Sequence, residues 1–158
     1  MSTPAPSVVA ALESAGLAYR VLVHDTPVHS LEEAAAARGV EVADVIKTLV
    51  VRRGDGDYLF VLVPGGRAIS WPKLRALLGV SRMSMPPADE AFEATGMRRG
   101  TITPLGSTTA WPVVADVGIA SRSEITLGSG AHDVAIGVDA TALLEATAAT
   151  IADVTEPE

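Results

Sequence analysis

The chain has 158 residues, 48% apolar and 20% charged, which suits one globular domain with a proper core and excludes a disordered chain. Its net charge of −7 and pI near 4.9 exclude wrapping duplex nucleic acid over the whole surface. With no cysteine, disulfides, zinc-thiolate sites and thiol nucleophiles are excluded together.

In chain order, Ser7 followed by Val8 to Leu12 and closed by Gly16 predicts a first helix with an N-cap and a terminating glycine. Ala18 to Val23 reads as a strand. Ser30-Leu31-Glu32-Glu33 is a capping-box pattern, and the alanine-rich helix after it stops at Gly39. Val45 to Arg53 and Tyr58 to Val63 are apolar, β-branched runs joined by the turn Gly54-Asp55-Gly56-Asp57, which predicts an antiparallel hairpin. Helices are expected from Ser70-Trp71-Pro72 to Gly79, over Ala88 to Thr95, and over Thr141 to Thr147. Pro112 to Asp116, Glu124 to Leu127 and Val134 to Val138 complete the strands, the last two facing each other across Gly128-Ser129-Gly130.

Helices and strands that do not alternate regularly predict an α+β fold: a mixed, mainly antiparallel sheet with helices packed on it. One domain over residues 1–158 is expected, with a core over about 18–154 and frayed ends at Met1 to Pro6 and Thr155 to Glu158. No apolar stretch approaches the roughly 20 residues that cross a bilayer. The first residues carry neither the basic nor the apolar part of a secretory signal, so a cytoplasmic protein with no membrane contact is expected. Arg98 with Arg99, Arg52 with Arg53, and Lys73, Arg75 and Arg82 are placed to form a small basic mouth, although exposed basic residues usually form only solvated surface.

Lys47 stands inside the apolar run Val45 to Val51. A lysine on a core strand is a candidate to hold an anion or polarise a carbonyl, because an ammonium is costly to desolvate without a partner. Taken alone, the position equally describes a lysine on the solvent face of an edge strand. Gly100-Thr101-Ile102-Thr103-Pro104-Leu105-Gly106 brackets a proline-stiffened turn with two glycines, so its backbone can approach a ligand and offer N–H groups. A plain surface turn has the same pattern, and neither a Walker loop nor a dinucleotide fingerprint is present.

Leu127 to His132 is a second close-approach loop, carrying the hydroxyl of Ser129 and the imidazole of His132. A triad of Ser129, His132 and Asp133 is rejected, because residues so close on an extended loop point different ways. His24, Asp25 and His29 match no metal-ligand spacing, so no metal and no cofactor is expected. Asp25 or His24 is assigned instead to local backbone donors.

Taken in order, these segments resemble the YbaK-like aminoacyl-tRNA deacylases, free-standing relatives of the editing domain inserted in bacterial prolyl-tRNA synthetases. The resemblance runs from about Val21 to Val154. Its anchors are His24-Asp25-Thr26-Pro27, Glu33-Ala34-Ala35, Val45 to Val50, Gly100 to Gly106, Trp111 to Asp116, Gly128-Ser129-Gly130 and Ala149 to Val154. It implies a mixed sheet curled toward a barrel, and hydrolysis of the ester linking a wrong amino acid to the terminal adenosine of tRNA. The implied partners are the tRNA acceptor end and, as a candidate, prolyl-tRNA synthetase. Lys47 is the implied critical residue, and the loop holding Gly100, Thr103, Pro104 and Gly106 lines the same pocket.

Lys47 suits the role of a fixed cation near the terminal phosphate or ester; as a nucleophile it would trap the amino acid as a stable amide. Gly100 and Gly106 would let N–H donors reach the carbonyl oxygen. Thr103, Ser129 or the adenosine hydroxyl would hold the attacking group. Leu22 stands where cysteine-removing members tend to have tyrosine, two residues before His24. Gly130 is followed by Ala131-His132-Asp133 where many members carry basic residues, and alanine-removing relatives have a histidine near His132. The expected substrates are therefore alanyl- or cysteinyl-tRNA-Pro. The alternatives are a non-catalytic module of the same fold that docks on a tRNA end or a synthetase, and, more remotely, a lysine Schiff-base enzyme.

Overall fold

Helix α1 (Pro6–Ser14) leads into strand β1 (Tyr19–Val23), helix α2 (Leu31–Arg38), a 3-10 turn (Val42–Asp44) and the strands β2 (Ile46–Gly54) and β3 (Asp57–Pro64). β4 (Arg67–Ile69), α3 (Trp71–Leu78), α4 (Ala88–Thr95), β5 (Val113–Asp116) and α5 (Val117–Ala120) follow. The chain closes with β6 (Glu124–Gly128), β7 (Val134–Asp139), α6 (Ala140–Ala146), β8 (Thr150–Ala152) and β9 (Thr155–Pro157). The computed structural model describes residues 2–158.

The predicted hairpin forms, with Lys47 opposite Val63 and Val51 opposite Leu59. Its tight turn needs a residue in the left-handed region, and Gly56 supplies it at φ +66°. β3 is buried from Tyr58 to Pro64, as an unbroken apolar run requires of a central strand. β5 joins β3 in parallel and β8 joins β5 in parallel, giving the order β2-β3-β5-β8. A second, antiparallel sheet has the order β1-β7-β6, and β4 pairs with β9 in a short ribbon.

The α+β class and the mainly antiparallel pairing hold. The curl toward a barrel does not: the strands form three open sheets, and closure would require a continuous staggered ladder linking first strand to last. The two larger sheets meet at the isolated bridge between Val45 and Thr126. One core cluster draws on both of them, including Ile46, Val50, Phe60, Ile125, Leu127 and Ile136, with Val8 and Leu12 of α1 against it. A smaller cluster on the opposite face of the four-stranded sheet joins Val51, Leu59, Val61 and Val63 to Leu74 of α3.

Both ends differ from expectation. The C-terminal residues, expected to fray, form β9, and Thr155 is fully buried. Asp116 anchors them: its Oδ1 accepts from Val154 N–H at 3.2 Å and Thr155 Oγ1 at 2.8 Å, while its Oδ2 caps α5 at Gly118 N–H. At the other end Ala5 N–H donates to Ser129 O at 2.9 Å, and α1 begins at Pro6 with Ala5 as N-cap, not at a Ser7 cap. Proline needs no partner there, since it has no N–H to satisfy. β4, β8, β9 and α5 are too short to leave a periodic signal in sequence.

Candidate functional site

A cleft of about 780 Å³ opens between the free edge of β2, the end of the three-stranded sheet and the segments around Met85 to Ala88 and Arg99-Gly100. β2 pairs with β3 on one side, while its other side is pinned near the two ends, at Val45 with Thr126 and Arg52 with Ser84. Arg52 exchanges both backbone bonds with Ser84, at 2.8 and 3.1 Å. The period of two in a strand then turns the N–H and C=O groups of Thr48 and Val50 toward the same open side. Thr48 adds a buried hydroxyl with no hydrogen-bond partner. Groups of this kind are normally satisfied, so this one keeps hydrogen-bonding capacity that the protein does not use.

Lys47 lines the cleft, but not as a desolvated charge. Its parity along β2 places it with Leu49 and Val51, its side chain is 38% exposed, and its ammonium lies 3.2 Å from Glu158 Oε1. It is an edge-strand lysine that also borders a cavity, so the two sequence readings describe one position. A half-exposed ion pair contributes about 1 kcal/mol or less and exchanges readily for another anion.

His24 lies just past β1, its N–H donating to Asp133 O at 2.8 Å. The sequence assigned Asp25 or His24 to local backbone donors, but the His24 side chain serves another side chain: Nε2 accepts from Arg38 Nε at 3.2 Å. Arg38 Nη1 in turn donates to Thr126 Oγ1 at 2.9 Å. Burial, and next the Arg38 charge, lower the His24 pKa against the opposing pull of Asp133, so the ring is held neutral with its proton on Nδ1. Burial also lowers the Arg38 pKa. Sequence reasoning missed Arg38, because an arginine ending a helix looks like a favourable partner for the helix dipole and nothing more.

The remaining expected site residues separate into two groups. Gly100, at φ +91°, and His132, on an exposed loop, line the cleft together with Arg99, Gly128 and Asp133. Thr103, Pro104, Gly106, Ser129, Gly130 and Leu22 do not. A Cβ on Gly106 would lie 2.7 Å from the Ser7 carbonyl, so this glycine serves the docking of α1. A Cβ on Gly130 would meet Ala5 Cβ at 2.7 Å, a second contact with the same segment. Thr103 is 1% exposed within the core wall.

Ser129 is fully buried, and its hydroxyl donates to Val134 O at 2.7 Å. It shapes the loop that presents His132 and forms no triad with it. Leu22 pairs with Ala135 and packs beside Gly137 on the sheet. Among the described residues no three His, Asp or Glu side chains converge as metal ligands.

Three cationic residues, Arg38, Lys47 and Arg99, thus line the cleft of an acidic protein with Asp133, and Glu158 is paired with Lys47. The sequence model of the aminoacyl-tRNA editing domain matches residues 25–146, which contain every residue lining this cleft except His24. The chain belongs to this family.

Relatives of this editing-domain chain include the proline–tRNA ligase of Thermosipho melanesiensis, 36% identical over 109 residues, which are 69% of this chain and 19% of that protein. The corresponding ligase of Thermosipho africanus is 32% identical over 111 residues, 70% of this chain and 19% of that protein. The chain therefore spans under a fifth of these synthetases. Its fold matches the crystal structure of a proposed trans-editing enzyme for prolyl-tRNA synthetase, with TM-score 0.87 and 27% identity over 98% of this chain and 99% of that one. A hypothetical protein of known structure aligns with TM-score 0.86 and 29% identity, over 95% of this chain and 99% of that one.

Proposed function

We propose that this editing domain is a trans-acting deacylase that hydrolyses the ester of mischarged tRNA, with alanyl- or cysteinyl-tRNA-Pro as substrate. The observation that carries the reading is the composition of the cleft. Lys47, Arg38 and Arg99 line it with Asp133, and Glu158 pairs with Lys47 at its border, so three cations face two carboxylates in a chain of net charge −7. Such a local reversal of sign draws the anionic end of a nucleic acid to one place on an otherwise repellent surface.

Water attacks the ester carbonyl, the carbonyl oxygen gains negative charge, and the bond to the ribose oxygen breaks as that oxygen takes up a proton. The products are the free amino acid and the intact tRNA. Lys47 supplies a fixed positive charge near the ester or the terminal phosphate, exchanging Glu158 for the substrate. The open β2 edge offers the N–H groups of Thr48 and Val50 to the substrate backbone, and the Thr48 hydroxyl is the free protein hydroxyl of the cleft. Neutral His24 is oriented by Arg38, and His132 stands at the mouth beside the amino acid. Ser129 and Thr103 are withdrawn from the cleft, so the attacking water is held by Thr48 or by the adenosine hydroxyl.

Ala91, Ile102 and Val134 give the cleft an apolar wall for a small side chain. Such a wall separates substrates by about 1–3 kcal/mol per methylene, which suits overlapping activity on alanine and cysteine. A panel of mischarged tRNAs offered to the folded protein tests the reading. Release of alanine or cysteine from tRNA-Pro, lost in Lys47→Ala, supports it; inertness toward every member of the panel overturns it.

A further inference from the structure

A second cavity, of about 570 Å³, holds Arg52, Arg53, Arg75 and Arg82 with the hydroxyls of Ser81 and Ser84. These four arginines are a third of the chain's twelve basic residues, gathered in one concavity of an acidic protein. Arg52 pairs with Asp55 and, at 3.2 Å, with Glu90, and Arg53 pairs with Asp57 at 3.1 Å. None of those carboxylates lines the cavity. Among the described residues Arg75 and Arg82 have no ion-pair partner, and the buried Arg53 Nε has no hydrogen-bond acceptor. Guanidiniums gathered around one concavity, two of them without a carboxylate partner, attract an anion, and their forked donors fit phosphate oxygens.

The cavity adjoins the cleft. Ser84 lines one and Met85 the other, and along β2 the cleft reaches Val50 where the arginine groove begins at Arg52. Lys47 and Arg52 are five residues apart on the strand, about 17 Å at 3.3 Å per residue. At about 3.4 Å per stacked nucleotide, that spans about five nucleotides of one strand.

We propose that this groove binds phosphodiester groups of a nucleic-acid strand whose 3′ end occupies the cleft. Arg75 and Arg82 are the free contacts, and Arg52 and Arg53 are fixed in place by their carboxylates. The identity of the strand as tRNA rests on the deacylase reading; the phosphate chemistry of the groove does not.

The test measures binding of uncharged tRNA, and of single-stranded RNA of three to ten nucleotides, across a salt series. The proteins compared are the parent, Arg75→Gln/Arg82→Gln, and Arg20→Gln as a control lying outside the groove. Circular dichroism and melting curves verify the fold of each. The double variant is expected to bind tRNA at least tenfold more weakly. Its log–log salt slope should fall by about 1.4–1.8, as loss of two phosphate contacts requires. RNA shorter than about five nucleotides should show no difference between parent and variant, because it fills the cleft without reaching the groove.

Unchanged affinity and slope in the folded double variant would overturn the proposal, as would equal weakening by Arg20→Gln. Inorganic phosphate binding the parent as tightly as the longest RNA would also overturn it, marking the groove as a free-phosphate site. No hydrolysis is read in these assays, so a failed deacylase reading leaves the result intact. A failed groove leaves deacylation in the cleft untouched.

Discussion

The ammonium of Lys47 and the carboxylate of Glu158 meet at 3.2 Å across 111 residues of sequence. β9 brings them together by pairing with β4, and Glu158 N–H donates to Gly66 O at 3.1 Å to hold the last residue in place. The cleft's edge-strand lysine therefore carries an internal anion supplied by a residue distant in sequence.

This pair yields opposite expectations for its two members. Lys47→Ala should lower deacylation by at least about 100-fold while leaving the melting temperature within a few degrees, since a half-exposed ion pair contributes little to stability. Glu158→Gln should raise kcat/KM by about two- to fivefold by freeing the ammonium. Steady-state kinetics on one mischarged tRNA read both, and a Glu158→Gln enzyme slower than the parent would remove the competition between the two anions.

Thr48 separates binding from stability in a single methyl-for-hydroxyl exchange. Its buried Oγ1 has no partner, so Thr48→Val should leave the protein as stable as before or more so by about 1 kcal/mol. Deacylation should nonetheless fall by about tenfold, as expected for one lost hydrogen bond in the cleft. Urea melts and kinetics on the same preparation measure the two effects. A destabilised variant of full activity contradicts the assignment.

His24 carries the pH dependence. Its pKa is lowered in the folded chain, by burial first and the Arg38 charge second. The unfolded chain therefore binds the proton first as pH falls below the ordinary histidine value of about 6.5. The stability from a neutral His24 is fully present above that value and is lost as the pH drops through the folded pKa. The histidine resonances followed by NMR should show His24 titrating below the ordinary histidine value of about 6.5. In His24→Gln the loss of stability between pH 7 and pH 5 should be shallower than in the parent.

Gly106 tests the structural role of the glycine-proline loop. Alanine there meets both a left-handed backbone, φ +79°, and the Ser7 carbonyl at 2.7 Å. Gly106→Ala should cost about 2 kcal/mol or more, while Gly16→Ala, with nothing within 4 Å, should cost only about 1 kcal/mol. Thermal melts compare them directly. Equal costs would mean that α1 does not rest on this glycine.

Much of the fold was legible because local chemistry dictates it. The hairpin follows from two apolar runs about Asp55-Gly56, and α2 from Ser30, whose side chain accepts from Glu33 N–H at 3.1 Å. Even there the capping box is shifted: the Glu33 carboxylate reaches His29 N–H at 2.7 Å, not that of Ser30. Elements of three or four residues, such as β4, β8, β9 and α5, were not legible, since their stability comes from Asp116 and the strands beside them.

By itself the sequence determined the class of fold and the family, and it singled out Lys47 and the two glycine loops as candidates, because turn glycines, caps and apolar periods act over a few residues. Only the tertiary structure decided what those residues face. It turned Gly106, Gly130 and Ser129 inward to support α1 and the loop, and left Gly100, Gly128 and His132 at the cleft. It also brought Arg38 to His24 and Glu158 to Lys47. Charge, burial and hydrogen-bond supply at a site are sums over residues distant in the chain, and only packing brings those residues within reach of one another.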